Sequence, residues 1–224
     1  MNYYEWLPLY IKITDDLHIN RNYDYISSLH LSRHIKNDIQ ILNKYRNKRF
    51  FIIGNGKNLI DNINVVSNGI IVVADSALNT YINFYKNPDI IVTDLDGDIN
   101  LIKKSYDNGT DIILHSHGDN INKIDLYSNY FNNGIATTQN IPFYNIYNFG
   151  GFSDGDRSAY ISDYLDAREI ILLGFDFDNV SIKNYYAEND IIFKKRKLEW
   201  AKYLLKILAN RRGSNFKENN IIEI

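Results

Sequence analysis

The sequence predicts an α/β protein: a mainly parallel, open sheet with crossover helices, preceded by an N-terminal helical extension. Three observations predict it. From Arg49 onward, short β-branched runs alternate with amphipathic stretches, the rhythm of strands joined by helices. Two of those runs, Ile70-Ile71-Val72-Val73-Ala74 and Ile170-Ile171-Leu172-Leu173-Gly174, are apolar at every position, as strands covered on both faces must be. Before Arg49, apolar residues recur at three and four rather than at two, which is helical spacing.

In chain order, Tyr3 to about Lys48 reads as helical. Trp6, Leu9, Tyr10 and Ile13 share one helix face, and Tyr25, Ile26, Leu29 and His30 share another. The chain then divides into a helical cap, 1–48, and an α/β catalytic domain, 49–224. His18, His30 and His34 fall in the cap and read as packed or exposed helix residues rather than ligands. Strands are expected at Phe50 to Ile53, Ile70 to Ala74, Asp89 to Thr93, Asp111 to His115, Ile135 to Thr138 and Glu169 to Gly174. Helices are expected at Asn58 to Ile63, from about Arg157 to Leu165, and where Leu198, Ala201, Leu204, Leu205 and Leu208 mark a C-terminal amphipathic face. The Asn-rich pieces Tyr130 to Gly134 and Asn179 to Asn189 read as loops.

At 224 residues the chain is long enough for a substantial core. Its 25 Lys and Arg against 27 Asp and Glu leave a formal charge of -2, which argues against nonspecific binding to nucleic acid or an acidic membrane. Phosphate contacts must therefore be local. The absence of cysteine excludes disulfides, thiolate metal sites and a thiol nucleophile. Met1 to Trp6 lacks a basic-then-apolar targeting pattern, and no apolar run reaches the length of a membrane span, so a soluble, cytoplasmic protein is expected.

Nearly every expected strand ends in polar or glycine-rich residues. In an open α/β sheet, ligands bind beyond the carboxyl ends of the strands, so these endings should converge on one site. The densest is Asp94-Leu95-Asp96-Gly97-Asp98. Asp94, Asp96 and Asp98 would point the same way if the strand continued, and Gly97 would let the backbone turn tightly around an ion. Hard oxygen ligands at a strand end suit Mg2+. A solvated acidic turn is the simpler alternative.

His115-Ser116-His117-Gly118-Asp119-Asn120 would place two imidazoles on one side. Zinc would need a third nitrogen or sulfur ligand, and beyond Asp119 none is evident, so donation to phosphate oxygens or to a carboxylate is the favoured reading. Gly150-Gly151-Phe152-Ser153-Asp154-Gly155-Asp156-Arg157 reads as a glycine-rich loop entering a helix. Asp154 or Asp156 would cap that helix, whereas an Arg in its first turn opposes the helix dipole and makes more sense as a phosphate clamp. Gly54-Asn55-Gly56-Lys57 lacks the Walker spacing and reads equally as a strand-to-helix turn or as an anion contact, with Asn55 offering an amide to a nucleotide. Lys194-Lys195-Arg196-Lys197 is a solvated helix face from which one lysine could reach a phosphate chain.

The ordered set Gly54-Asn55-Gly56, Ala74-Asp75, PDIIVTDLDGD from Pro88, HSHGDN from His115, Thr138-Gln139 and GGFSDGDR from Gly150 resembles the archaeal 6-hydroxymethyl-7,8-dihydropterin pyrophosphokinase family. The acidic strand end is also similar to that of thiamin pyrophosphokinase. The resemblance runs from about Trp6 to the C-terminal helix, with Ser76 where such motifs commonly have Gly and Lys57-Asn58 where a Pro-Ser pair is frequent. It implies transfer of pyrophosphate from ATP, with Mg2+, to the hydroxymethyl oxygen of a reduced pterin, releasing AMP. It further implies Asp75, Asp94, Asp96 and Asp98 at the metal, and Asp94, Asp96, His115, His117, Asp119 and Arg157 in catalysis. Gly54, Asn55, Gly56, Asn120, Gly151, Asp154 and Asp156 would bind the nucleotide. Small-molecule partners are implied, and the N-terminal helices are left two roles, capping the site or forming a homodimer contact. Competing readings are a thiamin pyrophosphokinase-like enzyme, a glycosyltransferase using Asp94-Leu95-Asp96 as its metal motif, and a nucleotide-binding module without turnover.

Overall fold

The computed structural model describes residues 1–179, 188–214, 216 and 221–223. Helix α1 spans Tyr3–Asp16, opened by a capping box in which Asn2 and Glu5 each accept the other's backbone N–H. Helix α2 follows at Arg21–Ser32, then a 3-10 segment at Ile39–Tyr45. Strand β1 (Arg49–Ile53), helix α3 (Leu59–Asn62), β2 (Ile70–Ala74), α4 (Leu78–Tyr81), β3 (Ile90–Thr93), α5 (Ile99–Asp107), β4 (Asp111–Ser116), α6 (Ile121–Tyr127) and β5 (Ile135–Thr138) then alternate. After β6 (Ile146–Tyr147) come α7 (Asp154–Tyr164), β7 (Glu169–Leu173), α8 (Glu188–Arg211) and β8 (Ile221–Glu223).

Among the described residues, eight strands lie in the order β6-β5-β4-β3-β2-β1-β7-β8. Pairing is parallel from β6 to β7, and β8 alone runs antiparallel, against β7. From β1 to β6 each strand is laid beside the last in one direction, and right-handed crossovers then place the intervening helices on one face. The return from β6 to β7 crosses to the far side of β1, which puts α7 on the opposite face, against β1, β2, β3 and β7. Alternating side chains feed two cores. Phe50, Ile52, Val72, Val92 and Ile113 pack with Ala159, Tyr160 and Ile161 of α7 and Leu204, Leu205 and Leu208 of α8. Phe51, Ile53, Val73, Ile91 and Leu114 pack with Leu59, Leu78, Ile102 and Ile124. Residues before β1 join both cores: Trp6, Tyr10 and Ile13 enter the first, Leu31 and Ile35 the second.

Several boundaries differ from the sequence reading. Helix α7 begins at Asp154, not near Arg157, because Ser153 and Asp156 close a capping box there. Helix α3 is a single turn without a side-chain cap. The two-residue β6 and the three-residue β8 carry too short a pattern to announce themselves. Tyr130 to Gly134 begins in a 3-10 turn, Ser128–Phe131. Of the loop expected at Asn179 to Asn189, residues 180–187 lie outside the described residues, and Glu188 and Asn189 already belong to α8. Among the described residues, no helix is long and apolar enough to cross a membrane.

Candidate active site

Adjacent parallel strands end level with one another, so β2 delivers Asp75 beside the Asp94 and Asp96 that follow β3. One oxygen from each of these carboxylates lies within 4.8 Å of the other two, the one such group among the described residues. The chain achieves this differently from a continued strand. Leu95 adopts a left-handed backbone, φ 66°, which is costly for a branched side chain and turns Asp96 back toward Asp94. Its amide is held by Thr93 Oγ1 at 2.8 Å, and Asp96 N donates to Asp94 Oδ1 at 3.2 Å. Gly97 is required for space rather than for its own turn: a Cβ there would sit 1.7 Å from Asp75 Oδ1. Asp98 leaves the group altogether, because its carboxylate caps α5 by accepting from Asn100 N and Leu101 N, both at 3.1 Å.

The loop after β4 braces Asp94. His117 Nε2 lies 3.0 Å from Asp94 Oδ2, and His117 Nδ1 accepts the amide of Asp119 at 3.3 Å. A nitrogen that accepts carries no proton, so the proton sits on Nε2 and is donated to the carboxylate. His117 thus has no nitrogen free for proton abstraction. His115, buried at the end of β4, stacks 5.9 Å from the His117 ring and pairs through Nδ1 with Thr137 Oγ1 at 3.2 Å. Thr137 Oγ1 also donates to Leu114 O at 2.9 Å, so it accepts from Nδ1 and leaves His115 Nε2 bare; that buried atom has no partner among the described residues. Asn120 is structural, donating to Asp94 O at 3.0 Å and His115 O at 2.7 Å, while Asp119 is exposed.

The glycine-rich loop is organised from within. Asp156, fully buried, accepts from Phe152 N at 2.6 Å, Ser153 N at 2.8 Å and the Ser153 hydroxyl. Arg157 is also buried, and its guanidinium donates to Gly151 O at 3.0 Å and Phe152 O at 2.9 Å. It stands at the fourth helical position, behind Asp154 and Asp156, whose charges suit the helix N-terminus. A phosphate clamp needs an accessible guanidinium, and this one is turned inward to hold the loop. Gly151, at φ +83°, would place a Cβ 2.4 Å from Arg157 Cα, so loop and arginine are built against each other. Asp154 is the acid of this loop whose charge lies near Asp94, Asp75 and Asp96.

The Gly54-Asn55-Gly56 turn likewise spends its amides inside the fold. Gly54 N donates to Leu173 O at 2.8 Å and Gly56 N to Gly174 O at 2.6 Å, and a Cβ on either glycine would collide with Gly174 O. Asn55 lies at the rim, 3.4 Å from Thr80 Oγ1.

Burial and crowding set the electrostatics. Burial, reinforced by Asp94 and Asp96, pushes Asp75 up to about 6 despite the Thr93 hydrogen bond. Burial also pushes Asp94 upward, but the bond and charge of His117 outweigh it and hold Asp94 below the usual carboxylate range. Asp96 is raised by burial and by Asp94, and Asp154 well above its ordinary value by burial and by Asp94 and Asp75. His115 is lowered by burial and by Arg157, which keeps it neutral. The sign for Asp75 follows from linkage. The folded state binds its proton more tightly than the unfolded chain, so its contribution to stability falls as pH rises from about 4 to about 6. In the metal-free protein, wild type should lose about 3 kcal/mol relative to Asp75→Asn across that window. Urea denaturation at several pH values measures this, and equal slopes for the two proteins would remove the assigned burial penalty.

The donor set fits a hard divalent cation. It is all carboxylate oxygen, it concentrates negative charge that a cation relieves, and Asp75 Oδ1 is buried without a hydrogen-bond partner among the described residues. Sequence reasoning gave Gly97 only a turn and missed the contacts that support the group. Thr93 donates to Asp75 Oδ2 at 2.5 Å, and Gly97 N to the same oxygen at 3.2 Å. Asp24, Ser27 and Gln139 stand behind the His115 to Asn120 loop. No spacing pattern could announce these, since each acts on a residue far away in sequence.

A family model described as 6-hydroxymethylpterin diphosphokinase MptE-like matches residues 21–181. The 6-hydroxymethyl-7,8-dihydropterin pyrophosphokinase of Methanocaldococcus jannaschii is 34% identical, over 94% of this chain and 97% of its own length. The proteins of the same name from Pyrococcus furiosus and Methanothermobacter thermautotrophicus are each 31% identical, over 99% and 89% of this chain and 100% and 92% of their own lengths.

Proposed function

The chain belongs to the MptE-like family of 6-hydroxymethylpterin diphosphokinases, and from that premise we propose that it transfers the diphosphate of ATP to the hydroxymethyl oxygen of 6-hydroxymethyl-7,8-dihydropterin, with Mg2+ and release of AMP. The observation that carries the reading is the group of three carboxylates gathered from the ends of two neighbouring parallel strands. Asp75, Asp94 and Asp96 would hold the metal. A divalent ion bound there supplies charge neutralisation and orientation of phosphate oxygens, the main needs of phosphoryl-type transfer.

The chain's own residues do the rest. Thr93 and Gly97 fix Asp75, and His117 fixes Asp94, so the carboxylates are aimed before any ligand arrives. Since Arg157 is committed to the loop, Lys197 is the cation assigned to the polyphosphate. Its ammonium stands 5.7 Å above the ring of Phe152 in the glycine-rich loop, and its charge is felt at Asp94, Asp96 and His115. Lys197→Ala should raise KM for ATP roughly tenfold with kcat little changed, the size of one charge-assisted contact; an unchanged KM would free Lys197 of this role. Residues 1–48 cap the catalytic portion, 49–224.

The reading is tested by mixing the protein with ATP, Mg2+ and, separately, hydroxymethyldihydropterin or thiamin, with a nucleotide-sugar arm beside them, and identifying products by mass. AMP with a pterin diphosphate is expected. A product only in the thiamin or sugar arm would refute the assignment.

A further inference from the structure

Helix α2 lies outside the strand-helix alternation, yet its buried face is polar. Asp24, Ser27 and Ser28 are each at most 1% exposed; Asp24 and Ser27 reach the loop that follows β4, and Ser28 the last residues of β4 and β5, Ser116 and Thr138. Asp24 divides its carboxylate between two tasks. Oδ2 accepts from Tyr10 OH at 2.6 Å and Gln139 Nε2 at 2.7 Å, while Oδ1 accepts the amide of Gly118 at 2.7 Å. Gly118 follows His117 directly, and a Cβ on it would lie 2.7 Å from Tyr23 Cβ, so the helix backs straight onto this turn. Ser27 Oγ donates to Asn120 Oδ1 at 3.0 Å, the same oxygen that receives His117 N at 3.0 Å. Asn120 Nδ2 in turn reaches Asp94 O. Both lines therefore run from α2 through the turn to Asp94, one through its carboxylate by way of His117 and one through its backbone.

Asp24 lies in the first turn of α2, where the helix dipole favours a carboxylate, but full burial still costs desolvation, and its three donors direct that cost to fixing the groups that supply them. We infer that Asp24 is a positioning residue for the metal site: it holds the Gly118 amide, and with it the His117 side chain that aims Asp94. The inference rests on the metal assignment made above but not on the identity of the acceptor. Groups that orient a metal-ligating carboxylate are worth about 10- to 100-fold in metal affinity.

The test uses the full chain and Mn2+ alone, titrated by water-proton relaxation without ATP or pterin, alongside thermal melting. Asp24→Ala should weaken Mn2+ binding about 10- to 100-fold. Tyr10→Phe removes a donor from the other oxygen and leaves Gly118 held, so it should lower the melting temperature while Mn2+ affinity stays within about twofold of wild type. Ser27→Ala, a milder change, should weaken Mn2+ binding severalfold and serves if Asp24→Ala does not fold. Wild-type affinity in Asp24→Ala, or in Ser27→Ala where it stands in, would overturn the inference, as would an equal loss in Tyr10→Phe or no Mn2+ binding by wild type. Failure to turn over hydroxymethyldihydropterin with this Mn2+ pattern intact would refute the proposed reaction and leave the inference standing.

Discussion

Replacing Asp94 with Asn should lower Mg2+-dependent AMP formation by about a thousandfold or more, with little loss of folded protein. The size follows from two losses at one side chain. The first is charge: Asp94 is the one carboxylate of the group held ionised well below its ordinary range, so it supplies negative charge to a cation at every pH near neutrality. The second is geometry. Oδ1 accepts from Asp96 N and Oδ2 from His117 Nε2, and an amide nitrogen at either position sets a donor against a donor. Electrostatic groups aimed at developing charge are worth about 10^2 to 10^3 each, and here the supporting bonds fail as well. Steady-state AMP release at saturating Mg2+ checks it, together with Mn2+ binding. Turnover within about tenfold of wild type would remove the carboxylate group from the chemistry.

The parts of the molecule that are legible in its sequence are those with local causes. Ile70 to Ala74 coincides with β2, because a strand buried on both faces in a parallel sheet is apolar throughout, and Ile135 to Thr138 coincides with β5, whose β-branched residues favour a strand. The convergence of Asp75 with Asp94 was legible for the same reason, since parallel neighbours end together. What stays hidden is decided by contacts across the chain. Gly97 looks like a turn glycine and is instead a gap for the Asp75 carboxylate, while the strained turn belongs to Leu95. Asp98 has the same chemistry as Asp96 and the wrong direction, because α5 begins there and takes its carboxylate as a cap. Asp24 sits in a helix that periodicity treats as a cap, and only the fold reveals what its buried polar face holds. Propensity and spacing describe an element; they do not describe which atoms another element needs.

Arg157 separates these two kinds of reading most sharply, and Arg157→Met should lower the melting temperature by about 10 °C or more. A solvent-facing phosphate clamp would behave otherwise: its loss would raise KM for ATP and leave stability untouched. In the fold, the guanidinium is buried, donates to two carbonyls of the glycine-rich loop, and is supported by the charges of Asp154 and Asp156 against the penalty of burial. Methionine fills much of the volume but leaves both carbonyls and the two carboxylates without their cation. Breaking a buried charged network of this kind costs about 3–5 kcal/mol, and for a chain of this length each kcal/mol is worth about 2–4 °C. Arg157→Lys should recover little, because one ammonium cannot reproduce the fork that reaches Gly151 O and Phe152 O together. Thermal melting of the three proteins, with KM for ATP measured on whatever folds, decides the matter. A melting temperature unchanged in Arg157→Met, joined to a raised KM, would return Arg157 to the phosphate and sink its role as the internal tie of the loop.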